Sequence, residues 1–271
     1  MSRIAGHFAA IAVLFFGTWF LLSRFDYLKL FRVDELTREA EHNLGELILD
    51  ELQKRNGELG SDTVYHVVEG IKERLCTANG IADSSITLHI IVSNEVNAIA
   101  LPDRQLVVYT GMIGYCKTPE ELSGVLAHEI GHIQHGHVMK RLRKEVGLSM
   151  LTTLAGGDAG SEIARETARL LSSTAFDRTL ESEADAAAVH MMARADIDPQ
   201  SFADVIFRLS RETNDFPKRL EWISTHPNTA DRCAEILRLR KQETVHARAV
   251  ASEASWSYCK RFFRKNSVSV K

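Results

Sequence analysis

The sequence predicts an α+β chain that is mostly helical, contains a small β-sheet and is preceded by one N-terminal transmembrane helix. Three observations favour this fold class. Apolar residues recur at helical spacing through most of the 271 residues. One stretch, 85–111, is instead rich in β-branched residues, which is typical of strands. The extreme amino terminus carries a continuous apolar run.

That apolar run, 4–22, reads IAGHFAAIAVLFFGTWFLL, and His7 is its only strongly polar residue. A bilayer core requires roughly 20 apolar residues in a helix, so the run is just long enough. A cleaved signal peptide and a buried core helix are the alternatives. The run ends in WFLLSRF, which offers no A-x-A-like cleavage site. We therefore expect an uncleaved, single-pass membrane anchor at 1–23.

The charges around the run leave its orientation open. Arg3 precedes it, whereas Arg24, Lys29 and Arg32 follow it. An excess of positive charge tends to keep a flanking segment inside, which favours an inside location for the rest of the chain. An amino-terminal signal-anchor of an exported protein would place that same part outside.

Two helices are predicted before the strands. Over 34–56 apolar residues recur every four positions, Asp34 can cap the start, and only Gly45 weakens the pattern. A second helix follows Ser61 and ends at Gly80. Both helices are expected to serve packing.

Three strands are predicted at 85–93, 97–102 and 105–111. Pro102 has no N–H group for a β-ladder, so its stretch belongs at a sheet edge or in a turn. An edge strand beside a cleft can bind an extended peptide as an added strand.

The next helix is predicted at 119–143. Thr118 is the N-cap candidate, Pro119 suits the first turn, and Glu121 completes a capping box. Further helices are predicted at 161–173, 178–194, 199–213 and 228–246.

The helix at 119–143 contains the sequence HEIGH. His128 and His132 are four residues apart, so they share one helix face and can bind one zinc ion. Glu129 lies beside them, where it can accept a proton from a water that the metal activates. His135 and His137 are out of register with a metzincin pattern, so they are expected at the rim or in solvent rather than as ligands.

A catalytic zinc ion needs a third protein ligand, and the sequence ESEAD supplies candidates. Glu181 and Asp185 are again four residues apart on a predicted helix. Glu181 can bind zinc, and Asp185 can hydrogen-bond the second nitrogen of a ligand histidine. Glu183 points to another face and is the alternative ligand.

The stretch STHPNTADR, 224–232, supplies one more histidine. His226, on the turn before Pro227, can donate to the oxyanion of a tetrahedral intermediate. It can equally occupy the open zinc position and keep the site shut. Arg232 can orient His226 or bind the substrate.

These motifs, in this order, resemble a family of membrane-associated zinc metallopeptidases. It includes the HtpX heat-shock protease, the CAAX prenyl protease and the mitochondrial overlapping-activity protease. The resemblance rests on NAIALP at 97–102, HEIGH at 128–132, ESEAD at 181–185 and HPNTADR at 226–232. One departure is that Asp103 and Arg104 stand where the family often has glycines.

The resemblance implies a gluzincin-like metallopeptidase domain in which the edge strand flanks the cleft. It also implies one zinc ion per chain, held by His128, His132 and Glu181, with Glu129 as the general base. His226 would stabilise the oxyanion, with Asp185 and Arg232 behind the ligands. The residues Asn97, Ala98, Ile99 and Ala100 would bind the polypeptide substrate.

The sequence also predicts how the chain is organised. A membrane anchor at 1–23 is followed by a helical lead-in at 24–82, the metallopeptidase domain at 83–246 and a polar, basic tail at 247–271. The aromatic and basic residues of 256–265 favour either a frayed tail or a segment that lies on an anionic membrane. The net charge of −3 gives no support for binding nucleic acid.

The expected function is hydrolysis of membrane-associated or misfolded proteins, with the catalytic domain on the periplasmic side of a bacterial inner membrane. The alternative is a zinc-stabilised chaperone or assembly factor with a latent protease site. The sequence does not predict an oligomeric state.

Overall fold

The computed structural model describes residues 33–60, 63–145, 167, 169, 171, 175–212, 221–227 and 229–266. The predicted anchor at 1–23 lies outside these residues, as does most of the predicted helix at 161–173. Within the described ranges, no helix combines the length and the apolar character that crossing a bilayer requires.

The described chain is mostly helical, as the sequence predicts. Its helices are α1 Val33–Asn56, α2 Thr63–Ala78, α3 Thr110–Tyr115, α4 Pro119–Gln134, α5 His137–Glu145, α6 Arg178–Arg194, α7 Gln200–Glu212, α8 Glu221–Thr225, α9 Thr229–Arg240 and α10 Glu253–Asn266. The strands are β1 Thr87–Ile91, β2 Ala98–Leu101 and β3 Gln105–Tyr109.

The three predicted strands form one mixed sheet in the order β1-β3-β2. β1 runs parallel to β3, and β2 runs antiparallel to it with Ala98 opposite Val108. β2 is therefore an edge strand, as predicted. Tyr109 donates its N–H to the Asn97 carbonyl across this pair. Because backbone groups alternate in direction along a strand, those of Ala98 and Ala100 point away from β3.

Residues 102–104 connect β2 to β3 and include the two positions where the family often has glycines. Asp103 and Arg104 have φ angles of 58° and 56°, a left-handed conformation that glycine adopts most easily. Contacts at both side chains hold this turn. Asp103 pairs with His42 of α1 at 2.6 Å, and Arg104 Nε donates to the Ser85 carbonyl at 2.8 Å.

The prediction of one helix at 119–143 is wrong, because this stretch forms two helices. α4 ends at Gln134, and Gly136 takes a φ angle of +64° before α5 begins at His137. The left-handed glycine ends α4, with the Gly136 N–H bound to the Ile133 carbonyl at 3.1 Å. This break turns the chain so that His137 is fully buried.

The prediction of a frayed carboxyl-terminal tail is also wrong. α10 packs against α2 and α3, with Trp256 and Cys259 buried. Trp256 Nε1 donates to the Lys117 carbonyl at 2.9 Å, and Lys260 Nζ donates to the Cys116 carbonyl at 2.8 Å. Trp256 is thus part of the core and not available to a bilayer. All four cysteines are buried and unbridged, at positions 76, 116, 233 and 259.

Gly124 allows α4 to pack closely against α7. A Cβ atom there would lie 2.5 Å from the Phe202 Cβ, so we expect Gly124→Ala to lower the free energy of unfolding by about 1–3 kcal/mol. Gly70 is the matched control. It is an exposed helical glycine where an added Cβ atom would have no neighbour within 4 Å, so Gly70→Ala should stabilise by about 0.5–1 kcal/mol. Urea unfolding would measure both changes, and equal effects would contradict the packing argument.

Candidate metal centre and active site

The candidate site lies where α4 and α6 cross. α4 carries His128, Glu129 and His132, and all three side chains are buried. The two helices approach closely at Gly131, where a Cβ atom would lie 3.1 Å from the Ala184 carbonyl oxygen. This glycine therefore explains why HEIGH can face ESEAD directly.

Four buried side chains point their polar atoms into one volume. His128 Nε2 lies 3.0 Å from His132 Nε2 and 3.2 Å from His226 Nδ1. Glu181 Oε1 lies 3.3 Å from His132 Nε2 and 2.7 Å from His226 Nδ1. One atom from each of the four residues falls within a 4.8 Å group. The structure thus brings together all three predicted ligands and His226.

This arrangement fits a metal ion better than a hydrogen-bond network. The Nε2 atoms of His128 and His132 face one another, and if both are unprotonated their lone pairs repel unless a cation lies between them. In a tetrahedral zinc site with 2.0–2.1 Å bonds, ligand nitrogens lie about 3.3 Å apart. The separations of His132 Nε2 from His128 and from Glu181 are close to this spacing.

Asp185 and Arg232 lie behind His128. Arg232 binds the Asp185 carboxylate through two nitrogens, each at 2.8 Å, and donates to the His226 carbonyl at 3.0 Å. Asp185 Oδ1 lies 3.0 Å from His128 Nδ1, close enough to interact although the ring is not aligned for a well-directed hydrogen bond. Arg232 Nη1 also lies 2.8 Å from Glu181 Oε2, again in ion-pair contact without hydrogen-bond alignment.

The charges around the ligands keep the carboxylates ionised. Burial alone would raise the pKa of Glu181, but His226 and Arg232 hold that pKa well below its ordinary value. Asp185 behaves in the same way, because Arg232 outweighs burial and lowers the pKa. Burial lowers the pKa of His132, which favours its neutral, ligand-competent form.

Glu129 is held by two hydrogen-bond donors. The Ala100 N–H of β2 donates to Oε2 at 3.0 Å, and Trp222 Nε1 donates to Oε1 at 2.8 Å. His226 Nε2 lies 3.4 Å from the same Oε1. Both carboxylate oxygens are therefore held in position by hydrogen-bond donors.

The ring of His226 is enclosed by aromatic side chains. Phe176 stacks on it with centroids 5.4 Å apart, and Trp222 lies 4.7 Å away on a tilted plane. Trp222 also donates its backbone N–H to the Val96 carbonyl at 3.2 Å. Trp222 of α8 therefore joins the segment just before β2 to the rings around His226.

Of the four residues expected to bind substrate, Ala100 contacts Glu129. All of them, Asn97, Ala98, Ile99 and Ala100, are buried in this structure. Ala100 donates its outward N–H to Glu129 Oε2, and the Val96 carbonyl, just before β2, accepts from the Trp222 N–H. An extended peptide could pair with both positions only after Glu129 and Trp222 release them.

The sequence predicts that His135 and His137 lie at the rim or in solvent, and the structure confirms this for only one of them. His135 is exposed, as predicted, whereas His137 is fully buried with Nδ1 3.0 Å from His132 Nδ1. Glu183, the alternative ligand, lies outside the central group and contacts His137 Nε2 at 3.0 Å.

Sequence reasoning missed two contacts of the site. The burial of His137 depends on the helix break at Gly136, which was the only available signal in the sequence. The contact of Trp222 with Glu129 joins positions 93 residues apart, and no local pattern indicates it.

Comparison with known proteins places this geometry in context. Residues 66–240 match the profile of Peptidase family M48, which is more than half of the chain. The chain is 29% identical over 201 residues to the Bos taurus protein "Metalloendopeptidase OMA1, mitochondrial", covering 67% of this chain and 38% of that protein.

Two further relatives are similar. The "Mitochondrial metalloendopeptidase OMA1" of Schizosaccharomyces pombe is 27% identical over 176 residues, covering 64% of this chain and 52% of the relative. The "Beta-barrel assembly-enhancing protease" of Yersinia pestis is 24% identical over 180 residues, covering 61% of this chain and 36% of the relative. The match thus spans between about a third and a half of the length of these three relatives.

Proposed function

This chain belongs to peptidase family M48, and on that premise we propose that it is a zinc-dependent endopeptidase. Its substrates are membrane-associated or misfolded polypeptides, and its role is protein quality control. The observation that carries the proposal is the convergence of His128, His132 and Glu181 at one buried point, with Glu129 beside it.

The donor set supports zinc as the metal, with one ion per chain. Two imidazole nitrogens and one carboxylate oxygen are the ligands of known catalytic zinc sites, which keep one further position open. When bound, zinc polarises the scissile carbonyl and lowers the pKa of a water molecule. His128, His132 and Glu181 are the proposed ligands, and Asp185 orients His128 while Arg232 holds Asp185.

In this proposal, Glu129 moves the proton. It accepts one from the attacking water and returns it to the departing amine, since its carboxylate adjoins the ligand group. Asn97, Ala98, Ile99 and Ala100 bind the substrate as an added strand, which requires that Glu129 and Trp222 release their contacts at this edge.

Cleavage by the full-length chain tests this function. We expect the detergent-solubilised protein to degrade an unfolded protein such as reduced casein, to stop when a chelator removes the metal, and to recover when zinc is restored. Cleavage that resists complete metal removal would contradict the proposal.

The position of His226 favours a resting state that is latent. Its Nδ1 donates to Glu181 at 2.7 Å beside the other ligand atoms, while Trp222 binds Glu129 and the Val96 carbonyl just before β2. We therefore propose that His226 blocks the site until α8 has moved. Stabilisation of the oxyanion is the alternative role of this ring.

Replacing His226 separates these roles. We expect His226→Ala to raise basal cleavage of casein about 10-fold to 100-fold, because a hydrogen bond to a charged group contributes about 1.5–3 kcal/mol. His190→Ala is the control, since this half-exposed histidine pairs with Glu243 away from the site. A loss of activity in His226→Ala would instead assign His226 to catalysis alone.

The latent geometry also supports the second function, a zinc-stabilised chaperone or assembly factor. It would be favoured if zinc binds and yet neither the wild type nor His226→Ala cleaves casein. A Glu129→Gln variant that still restores a loss-of-function phenotype would support the same conclusion.

We propose further that residues 1–23 anchor the protein as a single span, with the catalytic domain on the periplasmic side of a bacterial inner membrane. In this division, 24–82 is the helical lead-in, 83–246 the catalytic domain and 247–271 the carboxyl-terminal segment. The uninterrupted apolar run 4–22 supports the anchor. Release of the protein from membranes by carbonate at high pH would contradict it.

A further inference from the structure

A second polar cluster lies behind the ligand group and has no part in the proposed reaction. It consists of His135, His137 and Glu183, whose potential ligand atoms lie within 4.8 Å of one another. His137 is fully buried, whereas the Glu183 side chain is 45% exposed. The cluster touches the proposed ligands at one point, where His137 Nδ1 lies 3.0 Å from His132 Nδ1.

Two facing ring nitrogens at this distance require that one carry a proton and the other a lone pair. His132 Nε2 points into the ligand group, where metal binding needs its lone pair. A neutral His132 must then carry its proton on Nδ1 and donate it to His137. His137 Nδ1 is thereby the acceptor, and the ring's own proton lies on Nε2.

The contact between His137 and Glu183 continues the hydrogen bonds in the same direction, from His132 towards Glu183. His137 Nε2 lies 3.0 Å from Glu183 Oε2, so its N–H has a carboxylate acceptor. One placement of the protons therefore satisfies both hydrogen bonds, from His132 to His137 and from His137 to Glu183. His128 has no such intermediate ring, because its Nδ1 lies 3.0 Å from the Asp185 carboxylate itself.

We propose that His137 and Glu183 are positioning residues that hold His132 in the tautomer whose Nε2 can bind the metal. This inference rests on the proposed function, since it takes His132 as a ligand. In this proposal different groups hold the two ligand histidines. The buried ion pair of Asp185 and Arg232 lies behind His128, whereas His137 and the half-exposed Glu183 hold His132.

The competing interpretation of the cluster is a second metal site. A metal on His137 Nε2 would require the His137 proton to move to Nδ1, where it would face His132. His132 Nδ1 would then have to accept, and its own proton would move to Nε2. A metal ion on His137 Nε2 and a metal ion on His132 Nε2 therefore exclude each other, so binding of the second ion would weaken binding of the first.

Zinc affinity and zinc content of the full-length protein test the proposal without any need for proteolysis. In competition with a chromophoric chelator, we expect His137→Leu to weaken zinc binding about 10-fold to 100-fold, as loss of such partners does elsewhere. His137→Asn keeps an acceptor near the Nδ1 position and should restore most of the affinity, which a role in packing alone would not explain. His135→Ala is the control. It removes an exposed ring that stacks on His137 with centroids 5.3 Å apart but takes no part in the proposed hydrogen bonds, so the zinc affinity should stay close to that of the wild type.

Three outcomes would overturn the proposal. His137→Leu could bind zinc as tightly as the wild type, or His137→Asn could lose as much affinity as His137→Leu. Two zinc ions per wild-type chain, falling to one in His135→Ala, would make the cluster a metal site instead. If His137→Leu does not fold, Glu183→Ala replaces it, with a loss of about tenfold expected and an unchanged affinity overturning the proposal.

These outcomes remain distinct from failure of the proposed function. A wild-type protein that binds no zinc would contradict the function itself. A wild-type protein that binds one zinc ion, together with unchanged affinity in His137→Leu, would contradict only the role of His137.

Discussion

Replacing Glu129 with glutamine should reduce the rate of casein cleavage about 10²-fold to 10⁴-fold, the usual contribution of a positioned general base. The amide has nearly the same shape as the carboxylate but cannot accept the proton of the attacking water. Zinc content should remain at one ion per chain, because Glu129 is not among the proposed ligands. Cleavage and bound zinc, measured on the same sample, check the two parts together.

The contacts of Glu129 add a second consequence. Both of its oxygens accept hydrogen bonds, from the Ala100 N–H and from Trp222 Nε1. An amide offers one oxygen, so its NH₂ group must face one of these donors and that bond is lost. We therefore expect Glu129→Gln also to lower the free energy of unfolding by about 1–3 kcal/mol.

Glu120→Gln is the matched control, because it makes the same change on the same helix outside the site. Glu120 Oε1 accepts a 3.3 Å hydrogen bond from the Val250 N–H, and a glutamine oxygen can accept it equally well. Activity and stability should both stay near wild type. Full cleavage activity in Glu129→Gln would show that another group accepts the proton.

Local patterns predicted the elements that carry the site. The period of four in α1, the capping residues of α4 and the carboxylates four residues apart in α6 each depend only on neighbours along one helix. Helical spacing alone places His128 beside His132, and Glu181 beside Asp185. These features survive in the fold because the buried faces of α4 and α6 pack against each other.

Long-range contacts and backbone breaks account for what the sequence did not predict. His137 would lie on another face if α4 continued, and only the left-handed Gly136 turns it towards His132. Trp222 reaches Glu129 from a short helix that no periodic pattern indicates. The basic and aromatic composition of α10 suggested a solvated or membrane-bound segment, whereas Trp256 packs in the core.

The buried charges of Arg232, Asp185 and Glu181 were predicted in part by local sequence motifs, and in part they depend on long-range contacts. ESEAD and HPNTADR predict carboxylates and an arginine near the zinc ligands, but not that all three charges are buried together. Arg232 is 6% exposed, Glu181 3% and Asp185 1%. Buried carboxylates need compensation, and one guanidinium group contacts both acidic side chains while also donating to the His226 carbonyl.

Removing that guanidinium group should have a larger effect on stability than the glycine and glutamate substitutions above. We expect Arg232→Leu to lower the free energy of unfolding by about 3–5 kcal/mol, because it leaves Asp185 and Glu181 buried without their cation. Arg238→Leu is the control, since Arg238 pairs with Glu235 at the surface, where solvent screens the pair, and its free energy of unfolding should stay close to that of the wild type. Urea unfolding of the zinc-free proteins at pH 7 would measure both.

The pH dependence of this effect identifies its cause. In the wild type the pKa of Asp185 and that of Glu181 are lowered, so their contribution to stability is present above the unfolded-state pKa of about 4 and is lost as the pH falls. In Arg232→Leu, burial without the cation should raise the pKa of Asp185, whereas His226 still lowers that of Glu181. The difference in stability between the two proteins should therefore narrow as the pH is lowered from 7 towards 4. A difference that stayed constant with pH would assign the loss to the contact of the guanidinium group with the Trp222 ring and not to uncompensated carboxylates.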